Sequence, residues 1–352
     1  MTYDLLPHLQ KMLSAPGLSG YEDPIRGIIQ EAWEPLADQF SVSRVGSLHA
    51  LKRGDAPEPR PKVMLSAHMD AIGLMVTGIE QGLLHITQVG GIDARVLPGQ
   101  MVTVHGRKDL QGMVVMPPAF LLPSEAGNGP LAINYLLLDT GLRPTEVQEL
   151  VRVGDVVSFA QPPLELTGET MAGHTLDNRA SVAAVTFCLD LLRRRKHAWD
   201  VWAVATSQEE IGEAGASSSA VEIQPDFAII IDVTFAKGPG SSEWRTCELG
   251  KGITLAWGPN IHPALFNAIT NIADEVDIPY TREPAPNMTG TDTYAIQVVQ
   301  QGIPCLLIGV PLRYMHTPVE LVSLKDIRRA GRLMAEFISG LPVDFMTTIN
   351  WE

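Results

Sequence analysis

Six residues with carboxylate or imidazole side chains fall where short apolar runs end, and a seventh stands at a helix start. His68 and Asp70 follow V-M-L-S-A at 63–67. Glu209 and Glu210 stand side by side after V-W-A-V-A-T at 201–206. Asp232 follows F-A-I-I-I at 227–231. His316 comes after P-C-L-L-I-G-V and the short P-L-R-Y-M segment, and Asp177 opens a helical stretch in G-H-T-L-D-N-R-A-S. The set is rich in carboxylate and imidazole and contains no thiolate, which suits zinc, cobalt or manganese. Each member alone has a plainer reading. Asp177 is a good helix N-cap, and Glu209 and Glu210 suit the first turn of a helix, where negative charge meets the dipole. Asp232 reads as a strand-end turn residue, and His316 as a loop histidine. Taken together, these plain readings require independent accidents at neighbouring strand ends.

The elements that must carry these residues form an α/β pattern. Non-alternating apolar runs are separated by helical stretches, which predicts a mixed, largely parallel sheet covered by helices on both faces. In such sheets ligands bind beyond the carboxyl ends of the strands. Near the N-terminus, Asp23 reads as an N-cap with Pro24 at the first helical position. Ile25, Ile28, Ile29, Ala32, Trp33 and Leu36 then form one apolar face. A second helix is expected over 178–192, ending in a run of basic residues. A third opens at His262 and Pro263, and the last begins with a capping box formed by Ser323 and Asp326. Between about 73 and 163 the texture changes to short alternating segments broken by G-G, P-G, P-P and G-N-G-P. There V-R-V-G-D-V-V-S-F reads as a strand pair around a Gly-Asp turn. The expected organisation is a catalytic α/β domain over 1–72 and 164–352, with a small β-rich domain inserted at 73–163.

Bulk properties exclude several classes. The 352 residues contain 26 basic and 40 acidic side chains, a net charge of −14. That disfavours nucleic acid and anionic membranes as partners. No 18-residue apolar run occurs, and the N-terminus has no signal-peptide pattern. Three scattered cysteines, Cys188, Cys247 and Cys305, argue against a disulfide framework and for a reducing cytoplasm. G-x-S-x-G and Walker A patterns are absent.

The segments H-M-D-A-I-G-L-M-V, L-D-N-R, Q-E-E-I-G-E-A-G-A, I-D-V-T, G-T-D-T and R-Y-M-H-T-P-V-E resemble, in order, the TET-type (tetrahedral) dinuclear metalloaminopeptidases. These are relatives of the glutamyl aminopeptidases, some of them labelled cellulase-M-like. The likeness runs from S-G-Y-E at Ser19 to the last helix. It implies two divalent metal ions per subunit, zinc or cobalt with manganese also compatible. His68 and Asp232 would be terminal ligands of one ion, Glu210 and His316 of the other, with Asp177 bridging. Glu209 would be the general base and Asp70 the partner that orients His68. Gly290, Thr291 and Asp292 would shape the substrate pocket. The resemblance also implies a cis bond between Asp177 and Asn178, short peptides with a free N-terminus as substrates, and a homo-oligomer of twelve subunits built from dimers. His174 and Lys237 depart from the family's usual residues, which bears on pocket specificity.

Four functions compete. The first is a dinuclear aminopeptidase. The second is a related amidohydrolase, an N-acyl amino acid deacylase or dipeptidase using the same ligands. Glycoside hydrolysis would need two carboxyl groups across a sugar and no metal, and only 6% of residues are aromatic. A non-catalytic assembly protein would have lost Glu209 or a ligand, and none is lost.

Overall fold

The computed structural model describes residues 4–124, 129–240 and 243–349. Four adjacent parallel strands form its centre, in the order Asp200–Thr206, Lys62–His68, Phe227–Phe235 and Cys305–Arg313. Successive residues of these strands are buried almost without interruption. Side chains alternate between faces, so this burial means both faces are covered. Antiparallel strands extend the sheet at each side, giving the expected mixed α/β class. Helix Leu176–Leu192 packs on the central strands and on helix Leu324–Gly340.

A separate closed barrel is built from Gly73–Glu80, Leu83–Val89, Leu137–Asp139, Asp109–Val115, Met101–His105 and Val156–Phe159. All its neighbouring strands are antiparallel. It has its own core, including Leu74, Val76, Leu84, Val102, Val104, Leu138 and Val157, distinct from the core of the large sheet.

Several local expectations are revised. Helix Asp23–Trp33 starts one residue early: Glu22 occupies the N-cap position, and its carboxylate accepts from the N–H groups of Gly20 and Gln208. Ser323 caps helix Leu324–Gly340, but Asp326 turns away to accept from the Gly250 N–H and to pair with Arg329. In V-R-V-G-D-V-V-S-F only Val156–Phe159 is a strand. The preceding residues make a turn, with Gly154 at φ +97° and the Asp155 carboxylate accepting from the Arg152 N–H. Residues 127 and 128 of the G-N-G-P break lie outside the described residues.

Candidate metal centre

Strand register brings the sequence-predicted residues to one edge. Thr206 is level with His68, and Ile230 is level with Ser66. Two residues further along, Asp232 is therefore level with His68. The strand does not end at Asp232, as the apolar run suggested, but continues to Phe235. Glu209 and Glu210 lie in the turn Glu209–Ile211 after strand Asp200–Thr206, and His316 follows strand Cys305–Arg313. Asp177 enters at the start of its helix, where it and Asn178 depart from helical geometry across a cis peptide bond. Asn178 fixes this bend by donating its amide to the Ile231 carbonyl, beside Asp232.

Asp177 lies between the two histidines. Its Oδ1 is 3.1 Å from His68 Nε2 and its Oδ2 is 3.4 Å from His316 Nε2. His316 Nε2 is also 3.4 Å from Glu210 Oε2. His68 Nε2 is 3.8 Å from Glu209 Oε2 and 3.9 Å from Asp232 Oδ1. Ligand atoms of His68, Asp177 and Glu210 lie within 4.8 Å of one another, as do those of His68, Glu209 and Asp232. The donor set fits divalent cations: oxygen and imidazole nitrogen, with carboxyl groups in excess. Glu210 Oε1 is buried without a hydrogen-bond partner, and a buried polar atom left bare is costly unless something binds it.

The electrostatics show the same need. Burial pushes the Glu209 carboxyl up to about 10, with Asp232 and Asp292 adding to the rise. Burial and the Asp177 charge push Glu210 up to about 7. The hydrogen bond to Asp177 raises His316 to about 9. Burial works against the Asp177 anion, but hydrogen bonds from His316 and His68 hold its carboxyl well below the usual range. With no cation bound, these groups are balanced by protons.

A layer of acids behind the centre fixes its geometry. Asp70 accepts from Ser19 Oγ (2.6 Å) and from the N–H groups of Glu209 (3.0 Å) and Glu210 (3.2 Å). Its backbone carbonyl, 3.2 Å from His68 Nδ1, is nearer to that ring than its carboxylate, at 3.6 Å. The Asp70 side chain thus anchors the Glu209–Glu210 turn as much as it orients His68. Glu320, for which the sequence suggested no role, accepts from the backbone N–H groups of Asp177 (3.0 Å) and His316 (2.9 Å). Its position in T-P-V-E, just after His316, was the available signal.

An open cavity of about 620 Å³ adjoins the cluster. Gly290 and Thr291 line it. Asp292 does not: its carboxylate is buried and accepts from the Ser66 and Thr206 hydroxyls (2.8 and 2.7 Å). Glu213 and Glu283, which the sequence did not single out, do line the cavity. His174 is buried away from it, and Lys237 pairs with Glu248.

A covered α/β sheet that gathers carboxylates and imidazoles at the ends of its parallel strands, beside an open cavity, fits the class of metal-dependent hydrolases. The comparisons make the class specific. The family model for M42 glutamyl aminopeptidase matches residues 46–333, and the chain belongs to this family. It is 33% identical to the lysyl aminopeptidase of Pyrococcus furiosus, over 96% of this chain and 98% of that protein. Among solved structures it is similar to a TET aminopeptidase from a marine sediment Thaumarchaeota archaeon, with a TM-score of 0.92, 28% identity and coverage of 97% and 98%. It is also similar to the TET1 peptidase of Pyrococcus horikoshii, which can assemble into a tetrahedron or a large octahedral shell. That TM-score is 0.83, with 29% identity and coverage of 96% and 100%. The chain is an aminopeptidase of a family that typically depends on divalent metal.

Proposed function

We propose that the chain releases N-terminal residues from short peptides at a centre holding two divalent ions per subunit, zinc or cobalt, with manganese compatible. His68 and Asp232 would hold one ion, Glu210 and His316 the other, and Asp177 would serve both. One observation carries this reading: the two oxygens of Asp177 are divided, one toward each histidine. When bound, such ions acidify water and polarise a scissile carbonyl. Glu209 takes the proton of the attacking water and delivers it to the leaving amine. Support for that role comes from its place on the cavity wall beside His68 and from the hydrogen bond that ties its backbone to Asp70. Glu320 and Asp70 hold the backbone segments that carry Asp177, His316, Glu209 and Glu210.

The protein works in the cytoplasm as a homo-oligomer, a dodecamer built from dimers, with the β-rich region at 73–163 making subunit contacts. The assembly described for the Pyrococcus horikoshii relative supports the homo-oligomer. So do the exposed side chains of Met101 and Met113, paired across two barrel strands, and the exposed Leu121 and Val153.

The test is hydrolysis of leucyl and alanyl anilides and their N-acetylated counterparts by metal-loaded and chelator-treated protein. Cleavage of the free-amine substrates alone, abolished by the chelator and restored by zinc or cobalt, is the expected result. Cleavage of only the blocked substrates would make the protein a deacylase.

A further inference from the structure

The cavity wall carries, beside the centre, one carboxylate that forms no ion pair with a basic side chain among the described residues. Glu283 lies in strand Tyr280–Pro284, directly opposite Ala256 of strand Ile253–Trp257. Alternation puts Glu283 on the same face as Ala256 and Thr254, and Ala256 and Glu283 both line the cavity. Glu283 Oε1 accepts from Thr234 Oγ1 (2.6 Å), and Oε2 accepts from Thr254 Oγ1 (2.5 Å). Gly309 makes room for this arrangement: a Cβ there would lie 2.2 Å from Thr254 Oγ1.

A carboxylate offers about four lone-pair sites. Two threonine hydroxyls occupy one on each oxygen, which leaves capacity for a ligand. Among the described residues the nearby cations are engaged elsewhere. Arg282 lies on the opposite face, over the Trp257 and Phe266 rings. Arg245, at the cavity wall, stacks on Trp244, and Lys237 pairs with Glu248. Glu213 adds a second carboxylate to the cavity lining.

The spacing from the centre suits a long side chain. Asp232 and Thr234 are two residues apart on one strand and share a face, so they are separated by about 6–7 Å. A substrate whose N-terminal residue is held at the centre would send its side chain along this wall toward Glu283. The four-carbon stem of lysine reaches that far and ends in a three-donor ammonium. An acidic side chain would meet the like charge of Glu283.

We propose that Glu283 is the specificity-determining residue of the cavity, and that it selects peptides whose N-terminal residue is cationic. This rests on the aminopeptidase reading, because it requires the N-terminal residue to sit at the metal centre.

The experiment compares kcat/KM of the metal-loaded enzyme for lysyl, norleucyl and glutamyl anilides. Norleucine keeps the four-carbon stem and lacks the ammonium. The wild type is expected to favour lysyl over norleucyl at least tenfold, with glutamyl slowest. In Glu283→Gln the lysyl-to-norleucyl ratio is expected to fall at least tenfold, and in Glu283→Lys glutamyl is expected to overtake lysyl. A wild-type ratio near or below one, with norleucyl cleaved, would overturn the proposal and leave the aminopeptidase reading standing. A ratio unchanged in Glu283→Gln would also overturn it. Failure to cleave any anilide would overturn both. The wild-type ratio decides the matter even if a variant does not fold.

Discussion

At the scale of single residues, the centre crowds acids whose charge is balanced by protons or by a cation. Burial raises Glu209 to about 10 and Glu210 to about 7, both above their value of about 4.5 in an unfolded chain. Between those limits the folded, metal-free protein holds more protons than the unfolded chain, so its stability falls as pH rises through that window. A cation competes with the Glu210 proton for the same oxygens, and its charge beside Glu209 favours that carboxylate as well. Melting temperatures of chelator-treated and zinc-loaded protein are therefore expected to diverge as pH goes from 6 to 8.5, with the metal-free form losing ground. A gap that narrows with pH would show that Glu210 is not an ion's ligand. Much of this centre was legible in sequence, because every metal-capable residue but Asp177 stands at or just beyond an apolar run. The supporting residues were not. Glu320 meets Asp177 across 143 positions, and Glu22 meets Gln208 across 186. No local pattern signals such pairings. Asp292 misled for a related reason: its short side chain opens a helix beside the cavity, yet it bonds downward to Ser66 and Thr206 on two central strands.

At the scale of elements, the segment that carries Glu209 and Glu210 is held by a close backbone approach. Gln208 and Glu213 have φ near +60°, and Gly212 has φ +137°. Beneath them, a Cβ on Gly215 would lie 2.3 Å from the Ser207 carbonyl oxygen and 2.6 Å from the Ser207 nitrogen. Gly215→Ala must therefore displace the turn, at about 1–3 kcal/mol, and is expected to lower both the melting temperature and kcat. Gly27→Ala makes the opposite control: it lies in helix Asp23–Trp33 with nothing within 4 Å of its Cβ position. That change should stabilise by up to about 1 kcal/mol. Thermal melts and anilide turnover of the two variants check both signs. The buried strands and long helices were readable from their apolar runs and periodicity. The two caps were less so, since Glu22 and Asp326 are drawn to partners on other elements.

At the scale of the whole molecule there are two separate cores, one on the two faces of the large sheet and one inside the barrel. The change in texture near residue 73 was visible as a shift from continuous to alternating apolar residues. Closure of the six strands into a barrel was not, because it depends on pairing Gly73–Glu80 with Val156–Phe159, far apart in the chain. The exposed apolar side chains on the barrel are expected to be covered in the assembly. Light scattering should then find a particle near twelve times the 38.2 kDa chain mass. Met113→Glu is expected to weaken it by placing a charge in the contact. A stable wild-type monomer at working concentration would contradict this.

The most direct test of the two-ion centre is equilibrium dialysis against zinc of wild type and Glu209→Gln, followed by leucyl-anilide hydrolysis. The expected result is two ions per subunit in both proteins, with turnover of the variant reduced by about 10²–10⁴-fold, the range removed with a general base. One ion per subunit in the wild type would contradict the two-ion centre, and loss of an ion in the variant would make Glu209 a ligand rather than the carrier of the proton.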